Sequence, residues 1–358
     1  MSRRRFVALL IAALVAISGA LYLSTGRVLA RDTQGMPLMP ALANELNTVT
    51  ELSVRKGSAT PAVTIHKQGA QWSVVERANY PADVSKLRRL LLALADARIR
   101  EEKTSNPASY SIIGVEDPSQ PGAAGAQIEV TAQDGKHAVI VGKPSARGSF
   151  VRRAGENTSY LAEPAISFEA EPRFWIDTRL LDLAADKIQS IEAKPAAGPA
   201  YAVRSDGAIA PAKTTFALTG VPGGRKALDS QQLAPSSATF GALAADDVAA
   251  VGDLDFSKPS IVTVTMSDGN VVTFTGATIG GKRWIQVSQT KDAAFTAKTA
   301  GRAFEISDYS YDAIFKPLEQ LLVPKPASPV EEKRAAAGKA PANSKATAPK
   351  KSAPAPAS

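Results

Sequence analysis

Cysteine is absent from this chain of 358 residues, histidine occurs twice, and aromatic residues make up only 6% of it. Without cysteine there is no disulfide, no thiolate nucleophile and no thiolate-ligated metal. The two histidines, His66 and His137, do not stand in a His-Glu-x-x-His pattern, so no zinc site of that kind is expected. His66 shares the polar side of an alternating segment with Thr64 and Gln68, and His137 follows the pair Asp134-Gly135. Both read as surface residues. No Gly-x-Ser-x-Gly elbow is present. Val221-Pro222-Gly223-Gly224-Arg225-Lys226 has the glycines and cations of a phosphate loop without its spacing, and reads as a turn.

The body lacks a net charge. The chain carries a net +8, yet Arg3, Arg4, Arg5 and Arg27 put four positive charges in residues 1–30, and residues 324–358 add a net five. The stretch between them is left near −1. A nucleic-acid binder gathers its charge on one folded face, so no nucleic-acid partner is expected.

What is present starts at the N-terminus. Arg3-Arg4-Arg5 precedes an apolar run over residues 6–23, broken only by Ser18 and Gly19. As a helix it spans about 27 Å, close to the ~30 Å of a bilayer core. The arginines stay cytoplasmic by the positive-inside rule, so the body is expected in the periplasm of a bacterium, held at the inner membrane by a single pass. The alternative is a signal peptide cleaved near Ala30, after Val28-Leu29. The expected layout is an anchor and flank at 1–30, a juxtamembrane linker at 31–48, a first module at 49–185, a second at 186–323 and a tail at 324–358. The tail is almost entirely Ala, Pro, Lys and Ser and has no apolar face, so it is expected to be disordered. It reads as solvated, with contact to anionic lipid or cell-wall polymer as the functional alternative.

The body compares with itself. Gly114, Asp117, Ser119 and Pro121 recur as Gly252, Asp255, Ser257 and Pro259 in the pattern G-x-x-D-x-S-x-P. Val130-Thr131, Asp134-Gly135 and Gly142 recur at identical spacing as Val264-Thr265, Asp268-Gly269 and Gly276, and Phe150-Val151 matches Trp284-Ile285. Upstream, Ala93-Leu94-Ala95 pairs with Ala242-Leu243-Ala244 as a helix segment. Several short matches in one order argue for two tandem duplicated modules. Each reads as α+β, a mostly antiparallel sheet with a packed helix. In the first, Val63, Ile65, Trp72 and Val74 alternate around Gly69-Ala70 as a hairpin. Asp83 is placed to cap a helix whose apolar face is Val84, Leu87, Leu91 and Leu94, with Lys86, Arg88 and Arg89 outside. Ile128 and Val130, Val139 and Val141, Phe150-Val151 and Tyr160-Leu161 read as four more strands. Phe174-Trp175-Ile176 with Leu180-Leu181 closes the first module as a short helix, and Phe315, Leu318, Leu321 and Leu322 close the second.

This order of motifs resembles the bacterial domain-of-unknown-function 4340 family: Gln71-Trp72 on a hairpin, a helix with Asp83, Leu87, Leu90, Leu91 and Leu94, Tyr110 leading to Gly114-Val115-Glu116-Asp117-Pro118, the Asp134-Gly135 turn, Val141-Gly142, and Phe150-Val151-Arg152-Arg153. The resemblance covers roughly residues 49–323. Val115 stands where the family usually has leucine, and the second module has Gly252-Asp253 there. The resemblance implies an envelope-side accessory of an ABC-type export system, a class that includes the gliding-motility-associated ones, and brings no catalytic residues with it.

The remaining chemistry lies in carboxylates. Asp246-Asp247 with Asp253 and Asp255 is a candidate for calcium but lacks EF-hand spacing. Asp117 and Asp255, each two residues before a serine, read as turns whose carboxylates bond nearby amides. The expectation is a protein with no catalytic, cofactor or metal residues, a binding or scaffold protein for an envelope transport or assembly complex. The alternatives are a ligand-binding protein using the groove between the modules, and a hydrolase of envelope glycans acting through a carboxylate pair.

Overall fold

Residues 15–19, 33–207 and 214–324 are described in the computed structural model. Most of the expected membrane run at 6–23, and the tail beyond residue 324, lie outside them. Residues 15–19 are helical, and among the described residues no helix is long and apolar enough to cross a membrane.

The body is sheet-rich α+β, and every strand pairing in it is antiparallel. The first sheet holds β1 (Glu51–Arg55), β2 (Val63–Gln68), β3 (Gln71–Val74), β4 (Tyr80–Pro81), β5 (Arg98–Glu102), β6 (Ala126–Ala132), β7 (Gly135–Pro144), β8 (Ser149–Arg153) and β9 (Ser159–Glu163), in the order β4-β3-β2-β1-β6-β7-β8-β9-β5. Strict alternation makes these strands. On β6 Ala126, Ile128, Val130 and Ala132 are buried while Gln127, Glu129 and Thr131 are not. The β2–β3 hairpin turns at Gly69-Ala70, Gln68 lies opposite Gln71, and Gly69 takes φ +60°, which glycine tolerates.

A short helix α1 (Pro40–Glu45) precedes this sheet, and α2 (Val84–Asp96) lies on it. Asp83 caps α2 by accepting from the Ser85 and Lys86 amides, and Leu87, Leu90, Leu91, Leu94 and Ala95 are buried. Val84, expected on the apolar face, is 44% exposed. The expected linker is part of the body over residues 33–48. Leu38 and Leu42 are fully buried, and Leu38 N–H donates to the Ala97 carbonyl. A third helix, α3 (Tyr110–Ile113), ends on Gly114, whose φ of +74° closes it.

Strands β10 (Arg179–Leu181) and β14 (Leu243–Ala244) form a separate pair. The second sheet holds β11 (Ile188–Lys194), β12 (Tyr201–Asp206), β13 (Thr215–Thr219), β15 (Asp247–Ala250), β16 (Ser260–Met266), β17 (Val271–Ile279), β18 (Lys282–Gln289) and β19 (Arg302–Ile306). Its order is β13-β12-β11-β16-β17-β18-β19-β15. With β4 set aside, the two orders coincide strand for strand. Helices α4 (Ser230–Leu233), α5 (Ser237–Phe240), α6 (Ala293–Thr299) and α7 (Asp308–Ile314) accompany this sheet. Core side chains of both sheets belong to one continuous apolar cluster that includes the fully buried Trp175.

Several helix expectations are corrected. Leu243-Ala244 is strand, paired with β10, and Ala242 sits at φ +52°, so this segment does not match Ala93-Leu94-Ala95 on α2. Where the first sheet carries a long helix, the second has the two single-turn helices α4 and α5. Leu180-Leu181 likewise pairs as strand, and only Pro172–Trp175 forms a 3-10 turn. The second closing segment is a 3-10 turn at Leu318–Leu321.

The equal spacing of the two glycine motifs hides a change of face. Ala132 pairs with Gly135 across the β6–β7 turn, whereas the β16–β17 turn closes with Met266 N–H bonding the Asn270 carbonyl, one residue longer. Val130 therefore stands opposite His137, while its counterpart Val264 stands opposite Val272. One residue of slip turns every following side chain to the other face. A register shift between Val141 and Pro144 restores the step before β8. In between, a Cβ on Gly142 would strike the carbonyl oxygens of Ile113 and Gly114, and one on Gly276 would strike the rings of Phe315 and Tyr311. Gly252 departs further. It lies in the 3-10 turn Val251–Asp253 without the positive φ of Gly114.

Candidate functional site

The two sheets meet where the chain turns from β3 into β4. A 3-10 turn, Val75–Arg77, ends in Ala78 and Asn79, both left-handed at φ +53° and +51°. For residues with a Cβ this costs roughly 1–2 kcal/mol each. The other sheet holds them there. Arg302, on β19, donates from Nε to the Ala78 carbonyl at 2.9 Å and from Nη2 to the Asn79 carbonyl at 3.2 Å. Its Nη1 binds the carbonyls of Ala297 and Lys298, at the end of α6, at 3.3 and 2.8 Å. One guanidinium thus serves four carbonyls from two elements on opposite sides of the junction, and burial pulls its pKa down. Arg77 pairs with Asp247 of β15, and Lys298 Nζ reaches Asp177 Oδ2 at 3.1 Å and the Arg179 carbonyl at 2.8 Å.

Tyr80 lies beneath this corner, fully buried, with Phe304 edge-on at 5.4 Å. Its hydroxyl is buried without a hydrogen-bond partner. Burial, helped by Asp177 and opposed by Arg302, pushes its phenol far above the ordinary tyrosine value.

A cavity of about 440 Å³ opens beside the corner, walled by Gln68, Gln71, Ser73 and Asn79 from the first sheet and Lys298 and Arg302 from the second. Amides, a hydroxyl and two cations suit a polar ligand. No carboxylate lines it, and no large apolar side chain does. Asp177 and Asp182 line a neighbouring cavity of about 370 Å³, where Asp177 is engaged by Lys298 and Asp182 Oδ1 accepts from the Ala242 amide at 3.3 Å.

The residues singled out from the sequence do not converge. Asp117 Oδ1 accepts from Ser119 N–H and Asp255 Oδ1 from Ser257 N–H, each at 2.9 Å, and these bonds lower both carboxyl pKa values. Pro121 is exposed, and Pro259 directly precedes β16. Asp134 Oδ1 meets His137 Nε2 at 2.8 Å, and Asp268 Oδ1 accepts from Asn270 N–H at 2.8 Å, so both aspartates shape their turns. His66 lies 3.7 Å from Glu51, half-exposed. Of the calcium candidates, Asp247 is taken by Arg77 and Asp255 by its turn, and among the described residues no three His, Asp or Glu side chains gather as a metal site. The Val221–Lys226 segment is a turn closed by Arg225 N–H on the Pro222 carbonyl, and Arg225 pairs with Glu319 at 2.9 Å. The sequence reading passed over Arg302, Ala78, Asn79 and Tyr80. The one local signal was Asn79 two residues before Pro81, a turn pattern that says nothing of its partner.

The fold and this junction define a sheet-rich α+β protein whose two antiparallel sheets lock together around a polar cavity. The chain belongs to the family described as Domain of unknown function (DUF4340), whose model matches residues 72–258. The match begins on β3 and stops just before β16, so it straddles the junction and coincides with neither sheet. No curated protein and no solved structure matches the chain.

Proposed function

We propose that this is a non-catalytic binding and scaffold protein of the bacterial envelope, tethered to the inner membrane by residues 6–23 with its body in the periplasm, and accessory to an ABC-type transport or assembly complex. The observation that carries the reading is the use made of its ionisable groups. Asp117 and Asp255 shape turns, and Arg77, Asp247, Asp177, Lys298 and Arg302 lock one sheet to the other. The common strand order and the shared aspartate–serine turns support a duplicated origin for the two sheets. The triple arginine before an apolar run supports the topology. Because the chain has no cysteine, a single Ser58→Cys in an exposed loop tests it. Labelling by a membrane-impermeant maleimide once the outer membrane is permeabilised is the expected result, and labelling only after lysis of the inner membrane overturns the topology. Purification from solubilised membranes should recover transporter or envelope-assembly subunits; recovering none removes the accessory role.

The second reading is a ligand-binding protein, favoured by the polar cavity between the sheets. Gln71→Ala should then weaken a ligand that co-purifies with the protein, without lowering the melting temperature.

A further inference from the structure

We infer that the groove between α2 and the β2–β3 hairpin docks an acidic amphipathic segment of another protein. The inference rests on the binding reading above and gives it a surface. The groove has a volume of about 330 Å³. Val49, Leu87 and Leu91 form its floor, Trp72 stands on the hairpin wall, and Leu92 stands on the helix wall. Val84 and Leu92, on the outer edge of α2, are 44% and 45% exposed, and Arg88 lies between them on the same stripe of the helix. A helix already packed through five other side chains gains nothing for its own fold by holding two aliphatics in water.

The rim is positive on both walls. Lys67 sits over the Trp72 ring at 5.7 Å on one side and Arg88 on the other, and no carboxylate lines the groove. Lys86, on the same helix, is paired, 3.5 Å from Asp83. Among the described residues Lys67, Arg88 and Arg89 have no acidic partner. An apolar floor between two unpaired cations complements a helix that places an apolar side chain inward and carboxylates at its edges. The chain's own tail is unsuited, because residues 324–358 carry a net five positive charges. A lipid surface is flat and would meet the Val84–Leu92 ridge without filling the floor between helix and hairpin.

The test uses the full chain in its native membrane with p-benzoyl-phenylalanine in place of Leu92, photo-crosslinked in living cells, and the attached peptide sequenced. The expected product is a segment of another protein with net negative charge and apolar residues three or four apart. Arg88→Glu with Lys67→Glu should cut its yield about tenfold, and an unchanged melting temperature excludes a folding defect. A lipid adduct, a second copy of this chain, its own tail, a segment that is not acidic, or a yield indifferent to the charge reversals each overturns the inference. The same crosslinker at Ala294, beside the inter-sheet cavity, and at Ser58 separates the two levels. Protein captured there but not at Leu92 leaves the binding reading standing and removes the groove; no protein captured at any of the three removes both.

Discussion

The first sheet and the second follow one strand order, yet they are finished differently. The first carries the thirteen-residue α2 and an extra edge strand, β4; the second replaces the long helix with single turns and a strand pair. A common strand order is compatible with such differences because ladder hydrogen bonds are made by backbone, which any sequence of suitable pattern supplies. Helices and caps depend on particular side chains and are free to differ. The glycines make the point most sharply. Gly142 and Gly276 keep their spacing in sequence but abut different structures, the carbonyl end of α3 in one case and the rings of Tyr311 on α7 and Phe315 just after it in the other.

The largest effect is expected where the two sheets depend on each other. Arg302→Ala strips four carbonyls of their donor and frees two left-handed residues, and should cost about 3 kcal/mol in urea unfolding. A loss below about 1 kcal/mol would mean that the sheets hold together without this residue.

Next come the glycines. Gly142→Ala meets rigid backbone and should cost about 3 kcal/mol, while Gly276→Ala meets rings that can shift and should cost about 1–2 kcal/mol. Phe315→Ala should suppress the Gly276→Ala penalty and leave that of Gly142→Ala untouched. Equal suppression of both would contradict the change of face.

The buried tyrosines should respond with opposite signs. Tyr80→Phe removes a hydroxyl that has no partner and should stabilise by up to about 1 kcal/mol, whereas Tyr201→Phe loses a 2.6 Å bond to the Lys316 carbonyl and should cost about 1 kcal/mol. Burial raises both phenols, Tyr201 to about 12. The unfolded chain then ionises first, so their contribution is complete below pH 10 and is lost as pH rises through the folded values. Denaturation followed from pH 9 to 12 should show a shallower decline in Tyr201→Phe.

Smallest is the pair of turns. Asp117→Asn and Asp255→Asn keep a neutral acceptor but lose the carboxylate's contribution, and should lower stability slightly at neutral pH and not at all at acid pH, where the aspartates are protonated. Both carboxyls titrate below the ordinary aspartate value of 3.8, so their contribution is present above that pH and is lost as pH falls. Each Asn variant should flatten the acid limb, and by the same amount in both sheets. A response in only one would break the equivalence of the turns.

Much of the fold was legible where contacts are close in sequence. The β2–β3 hairpin, the Asp83 cap, the alternation on β6 and the return strands β7, β8 and β9 were all read from period and turn residues. The Asp117 and Asp255 carboxylates bond amides only two residues away, within reach of any local reading. The Leu243-Ala244 and Leu180-Leu181 segments misled because short apolar segments suit helix and strand alike, and the pairing of Leu181 with Leu243 decided between them. The linker misled because a stretch rich in Pro and Leu without strong periodicity gives no sign that Leu38 and Leu42 will be covered.

The junction was beyond any such reading. Arg302 and Ala78 are 224 residues apart, and Arg77 and Asp247 are 170. Nothing in the neighbourhood of either partner marks the other. The sequence by itself determined an antiparallel, sheet-rich α+β body of near-neutral charge, because alternation and turn chemistry act within a few residues. The tertiary structure alone decided which face each glycine presents, where the sheets lock and what lines the space between them. A one-residue change in a turn reverses a strand, and a guanidinium finds its carbonyls only after both sheets are in place.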